Sequence, residues 1–185
     1  MPGSLRARWA RRYVVVMVAI DIAALILRLA IGFTIFAHGW NHVFRGGRLA
    51  GTARWFESIG IRPGRVHALL GSVTELGAGV LLLIGLLTPL AAAAVVGTMV
   101  VALIANHLKN GFFIFRPGEG YEYVLMITLV SVALGALGGG RISVDHAIDF
   151  SVDGWGGFLV ALLVGGGGAA LVLLTSWRPA PRVES

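Results

Sequence analysis

The 185-residue chain is 57% hydrophobic and 13% charged, with a mean hydropathy of +0.85; an ordinary soluble domain carries roughly 25% charged residues, so this is an integral membrane protein with no room for a separate soluble domain. Its net charge of +6 is almost entirely arginine, which in so apolar a chain reads as anchoring to membrane lipids and excludes nucleic-acid binding, for which no recognition fold could be built. Cysteine is absent, so a redox role needs a quinone, a metal on His and carboxylate, or a partner subunit.

A bilayer core takes about 20 apolar residues of helix. Five segments fit: Tyr13 to Phe44, Val66 to Leu87, Leu90 to Asn110, Tyr121 to Leu137 and Gly157 to Trp177. The first opens on "RARWARRYVVVMVAIDIAALIL" like a signal peptide, but it continues past Asp21 and Arg28 without a small-residue cleavage site and is expected to be retained. At about 32 residues, roughly 48 Å long, it must tilt, kink or begin on the surface. The connection from Arg45 to Arg65 holds "TARWFESIG", predicted as a short interfacial helix with Thr52 as its cap and Trp55 and Phe56 as its apolar face. Thr88-Pro89 starts the third span and makes a tight hairpin with the second. The Gly-rich loop from Gly138 to Gly156 carries Asp145, Asp149 and Asp153. In the last span, the glycine run at 165–168 predicts close helix approach or a kink. Arg6, Arg8, Arg11 and Arg12 favour a cytoplasmic N-terminus, against Arg45, Arg48, Arg54, Arg62 and Arg65 on the opposite side.

The pattern predicts an all-α integral membrane protein: a four-helix up-and-down transmembrane bundle with an additional C-terminal transmembrane helix. In that topology the polar residues meet at one membrane face. Span one ends with His38, Asn41 and His42; span two has His67 at its entrance and Glu75 about 12 Å deeper. Span three ends with Asn106, His107, Lys109 and Asn110, and span four opens with Tyr121, Glu122 and Tyr123. His38, Asn41 and His42 share a helix face, as do Asn106 and Asn110. Arg28 is costly in lipid unless paired, and Asp21 and Glu75 are its expected partners. Gly71, Glu75 and Gly79 form a small–polar–small seam that turns Glu75 toward protein.

These groups admit several readings: hydrogen bonds that only join helices, a pocket for a quinone-like or lipid head, a metal on His38, His42 and Glu75 or His107, or haem between His107 and a span-one His. Metal and haem are the weaker readings, and His67 and His146 are expected near solvated surfaces. Trp40, Trp55, Phe112, Phe113, Phe115, Tyr121 and Tyr123 crowd the same membrane face, as an interfacial belt or a stacking surface.

The runs "LRLAIGFTIFAHGWNHVF", "LLGSVTELGAGVLLLIGLLTPLAA", "NHLKNGFF" and "GYEYVLMITLVSVALGALGGGRISVD" resemble the DoxX family of bacterial membrane proteins, over about Leu27 to Asp145. The resemblance implies a four-helix membrane bundle, similar to the DoxD subunit of thiosulfate:quinone oxidoreductase. It also implies a membrane oxidoreductase complex linked to superoxide dismutase and a sulfurtransferase under oxidative and thiol stress, as in mycobacteria. Its motifs implicate His38, Gly39, Glu75, Asn110, Gly111, Glu122, Arg141 and Asp145. The chain departs from the pattern at Asn41-His42, where Gln-Lys is frequent, and in the span after Asp145.

The expected organisation is a DoxX-like domain over residues 1–145, then an acidic loop, a fifth membrane helix and a short polar tail over 146–185. The expected function is that of a bacterial inner-membrane subunit binding a quinone-like or lipid head, with His38, Glu75 and His107 as candidate catalytic groups. Arg28, Asn41, His42, Asn106, Asn110, Tyr121 and Glu122 are the candidate ligand-binding groups, and no metal ligand is assigned. Expected partners are membrane lipids, redox proteins and a second copy of the chain. The rival is a non-catalytic scaffold, assembly or lipid-handling protein that recruits enzymes through the Arg-rich loop.

Overall fold

The computed structural model describes residues 2–179 and is mostly helical, with no named strand among them. Helix α1 spans Pro2–Phe44, α2 Arg48–Ser58 and α3 Gly64–Ile84. Helix α4 (Thr88–Ala102) runs on through a π turn at Leu103–His107 and a 3₁₀ turn at Leu108–Asn110. Helix α5 is Glu122–Leu137, α6 is Val144–Ala147, and the C-terminal helix is α7 (Gly154–Leu159), a π turn (Val160–Val164) and α8 (Gly165–Ser176).

Four of these segments are long and apolar enough to cross a membrane: Arg12–Phe44, Gly64–Ile84, Thr88–Asn110 and Gly154–Ser176. The predicted fourth span is a shorter helix of 16 residues, ended by Gly138 at φ +69°, a left-handed conformation that suits glycine. The first span is one unbroken helix of 43 residues, roughly 65 Å at ~1.5 Å per residue.

Helix α1 packs on α3 and α5, and α4 packs on α3, α5 and the C-terminal helix. Half of the most apolar window of Thr88–Asn110 is buried, against 22% in the first and last segments, so α4 is the central helix and the outer ones turn apolar side chains such as Val15, Leu163 and Leu174 outward. One core joins Ile31 and Ile35 of α1, Leu82 of α3, Val95 and Met99 of α4, and Ile127 and Leu134 of α5.

Glycines set the helix spacing, since lipid gives little hydrophobic drive for helices to associate and close van der Waals packing takes its place. A Cβ on Gly39 would lie 2.9 Å from Leu76 N, and one on Gly79 would lie 2.7 Å from Phe36 Cβ. In the last helix only the first glycine of the run is pressed this way. A Cβ on Gly165 would meet Ala93 O at 2.6 Å, whereas Gly166, Gly167 and Gly168 have open space around them.

Two details differ from expectation. Helix α2 begins at Arg48, so Thr52 lies inside it rather than at its cap; its hydroxyl donates to His42 O at 3.0 Å and ties α2 to the end of α1. The far end of the C-terminal helix is clasped to the α2–α3 connection. Arg62 N donates to Ser176 O at 2.9 Å, Arg178 N to Gly60 O at 2.7 Å and Trp177 Nε1 to Ile59 O at 3.1 Å, around an Ile61–Trp177 bridge.

Candidate functional site

Two polar clusters lie at opposite ends of the helices. The first forms where α1 ends, α3 begins and α4 ends. Gly39 lets α3 approach until Glu75 stands beside α1, and Glu75 is 4% exposed. Its Oε2 comes within 3.1 Å of His42 Nδ1. The two atoms are not aligned for a hydrogen bond, and neither has another protein partner. This is a close acid–imidazole contact whose directional bonding capacity is unspent. The ring of Phe56, carried by α2, stands edge-on to His42 at 6.3 Å.

From α4 come Asn106 and His107, presented by the π turn. Such a turn adds a residue to the helical repeat and re-aims the side chains after it. His107 Nδ1 lies 2.9 Å from Glu119 O. A carbonyl only accepts, so Nδ1 carries the proton in the neutral ring and Nε2 is an acceptor. Asn106 Nδ2 faces that Nε2 at 3.4 Å. Histidine 38 is exposed at the rim, its ring 6.2 Å from Tyr123.

These side chains share a cavity of about 1210 Å³ lined by residues of α1, α2, α3, α4, α5 and the C-terminal helix. Its polar wall contains His38, His42, His67, Glu75, Asn106 and His107. Away from them the lining is apolar and small, with Leu90, Ala93, Ala94, Gly97, Gly165 and Ala169. Lining residues Leu70, Leu90 and Val164 are between 44% and 55% exposed, so the cavity opens sideways between helices. Among the described residues its lining includes no Lys or Arg, and no three metal-ligating side chains converge anywhere among them.

Five expected site residues thus share one cavity wall: His38, His42, Glu75, Asn106 and His107. Five do not. Asn41 is exposed outside it. Asn110 departs from the face of Asn106 because the π and 3₁₀ turns break the regular repeat; its amide donates to Asn106 O at 3.2 Å and Glu119 O at 3.0 Å, holding the loop that follows. Tyr121 packs on Phe112 at 5.4 Å. Glu122 accepts from Ile114 N at 3.2 Å. Arg28 is at the opposite end.

His67, expected to be solvated, is half-buried in the cavity wall. The signal was present in the stripe His67, Gly71, Thr74, Glu75, with i, i+4, i+7, i+8 spacing on one face of α3. Thr98, Ala102 and Asn106 make the matching stripe on α4.

The second cluster has no comparable cavity. Arg28 is 1% exposed and pairs with neither Asp21 nor Glu75: its guanidinium lies against Gly85 and donates through Nη2 to Ile142 O, while Nε and Nη1 have no protein hydrogen-bond partner. The carboxylate nearest in kind is Asp145, whose oxygens accept from Leu87 N at 2.6 Å and Thr88 N at 2.9 Å and so cap α4. Asp21 instead pairs with Arg141, accepting also from Arg141 N at 2.8 Å. Glu75 was unavailable to Arg28 because it is held at the other end against His42.

The DoxX family model matches the chain over residues 23–108. That stretch contains all six residues of the polar wall, and excludes Glu122, Arg141, Asp145 and the C-terminal helix. No curated protein and no solved structure matches.

Proposed function

We propose, for a multi-pass membrane protein that carries a DoxX domain over residues 23–108, that the cavity binds a quinone ring and that the chain is the quinone-binding subunit of a bacterial inner-membrane oxidoreductase complex. Its N-terminal end is on the cytoplasmic side in this reading. The observation that carries it is the chemistry of the lining. Four histidines, one asparagine and two glutamates, Glu75 and Glu119, line it without a Lys or Arg among the described lining residues. A phosphate head is ordinarily met by Arg or Lys, whereas a neutral ring with two carbonyl oxygens needs only neutral donors, of the kind the Asn106 amide and the His38 ring supply.

The unspent pair supports the same reading. A buried polar group without a partner costs about 1–3 kcal/mol, a cost that a bound head removes by supplying the missing bonds. Reduction of a quinone to a quinol takes up two electrons and two protons. The chain has no thiol, so the electrons come from a partner enzyme that oxidises a reduced sulfur compound, in line with the family resemblance. Glu75 and His42 then hold a proton beside one ring oxygen, and the Asn106 amide, which His107 Nε2 faces, donates to the other.

A second reading, a scaffold that recruits enzymes, is favoured by one feature: Arg45, Arg48, Arg54, Arg62 and Arg65 are all exposed around α2 and the start of α3, a surface suited to an acidic partner. Quinone titration of the purified protein in nanodiscs separates the two. Glu75→Gln and His42→Ala are each expected to weaken binding at least tenfold; unchanged affinity in both, with quinone still bound, removes the pair from the site, and no binding by the unaltered protein leaves the scaffold.

A further inference from the structure

The cavity is much longer than a ring needs. Its lining runs along α4 from Leu90 to Asn106, roughly 24 Å at ~1.5 Å per residue. Only the Asn106 end is polar. Toward Leu90 the floor is Ala93, Ala94 and Gly97 of α4, and the outer wall is Gly165, Gly168 and Ala169 of the C-terminal helix. Gly165 brings that helix onto the α4 backbone. One turn on, Gly168 lines the cavity with nothing within 4 Å of where its Cβ would be.

We propose that this apolar lane holds the polyprenyl tail of a membrane quinone, that the ligand enters sideways between α3 and the C-terminal helix, and that the C-terminal helix selects for the tail while the polar wall selects the ring. The proposal rests on the ring-binding reading and adds the substrate class: long-chain, neutral-headed quinones rather than water-soluble ones. Three observations converge on it. The ~24 Å length is most of a bilayer's ~30 Å hydrocarbon core, the facing walls of α4 and the C-terminal helix are glycine and alanine that leave width for a branched chain, and the side opening lies between the exposed apolar residues Leu70, Leu90 and Val164.

Gly168→Leu tests it. Gly168 lines the lane and a Cβ there meets no atom within 4 Å, so the substitution starts without a backbone clash, adds bulk at the lane and replaces glycine by a better helix former. Gly167→Leu is the matched control, since Gly167 is equally uncrowded and does not line the cavity. Protein in nanodiscs is titrated with a polyprenyl quinone, with the same ring lacking a tail, and with monoolein, a tailed neutral lipid without a ring. Gly168→Leu is expected to weaken the tailed quinone at least tenfold and the tail-less ring less than twofold, with Gly167→Leu changing neither. Equal loss of both quinones, or no loss of the tailed one, overturns the lane. If the unaltered protein binds monoolein in a Gly168-dependent way but no quinone, the lane stands and the ring-binding reading fails; if no tailed compound binds, the lane fails.

Discussion

The two ends of the helical assembly bury similar chemistry to opposite purpose. At one end Asp21 is matched by Arg141, Arg28 by the Ile142 carbonyl, and Asp145 by two backbone N–H groups that begin α4. At the other end Glu75 and His42 touch at 3.1 Å without completing a hydrogen bond, and a large cavity lies in front of them. The contrast teaches that a buried charge in a membrane helix is not by itself a binding site. Capping a helix through backbone N–H groups it acts as a clamp; set in the wall of a cavity it is within reach of a ligand.

Substitutions should therefore divide by end. The largest expected effect is at the clamp. Asp145→Ala removes two charge-assisted bonds at a 3%-exposed site and leaves Arg28 without its nearby counter-charge, and should cost about 3 kcal/mol of stability. Thermal unfolding in detergent measures this, and a melting point within a degree of the unaltered protein would mean that the clamp does not hold the fold. Next is Gly39→Leu, which forces bulk against Leu76 N and Glu75 Cβ. It should destabilise by about 2 kcal/mol and abolish quinone binding, because α3 must move away from α1 and carry Glu75 from His42. The smallest is Glu75→Gln, expected to change stability by under about 1 kcal/mol, since the carboxylate has no aligned partner to lose, while reducing binding as above. A large loss of stability from Glu75→Gln would break the comparison by making both ends clamps.

Much of this was legible in the residues. Spans follow from runs of Leu, Val, Ala and Ile, the turn at Thr88-Pro89 from proline, and the protein-facing side of Glu75 from glycines at four-residue steps. The gathering of His38, His42 and His107 followed from antiparallel topology alone. Periodicity failed where the helix itself is irregular: the π turn at Leu103–His107 is invisible in the pattern, and Asn106 lines the cavity whereas Asn110 holds the following loop. It failed also where a partner is backbone. No residue-type rule pairs Arg28 with the carbonyl of Ile142, more than 100 residues away, because a carbonyl is present at every position. His67 was misplaced for a different reason, nearness to a helix start, which says where along the membrane normal a residue lies but not which way it points.

The clasp between Ile59–Arg62 and Ser176–Arg178 gives the molecule a mechanical linkage. A pull or a bulky attachment beyond Pro179 bears first on three hydrogen bonds and one indole, and these adjoin α2, the helix that seats Phe56 on His42. The carboxyl-terminal end of the last helix is thereby tied, through the α2–α3 connection, to the helix that carries Phe56 beside the imidazole–carboxylate contact.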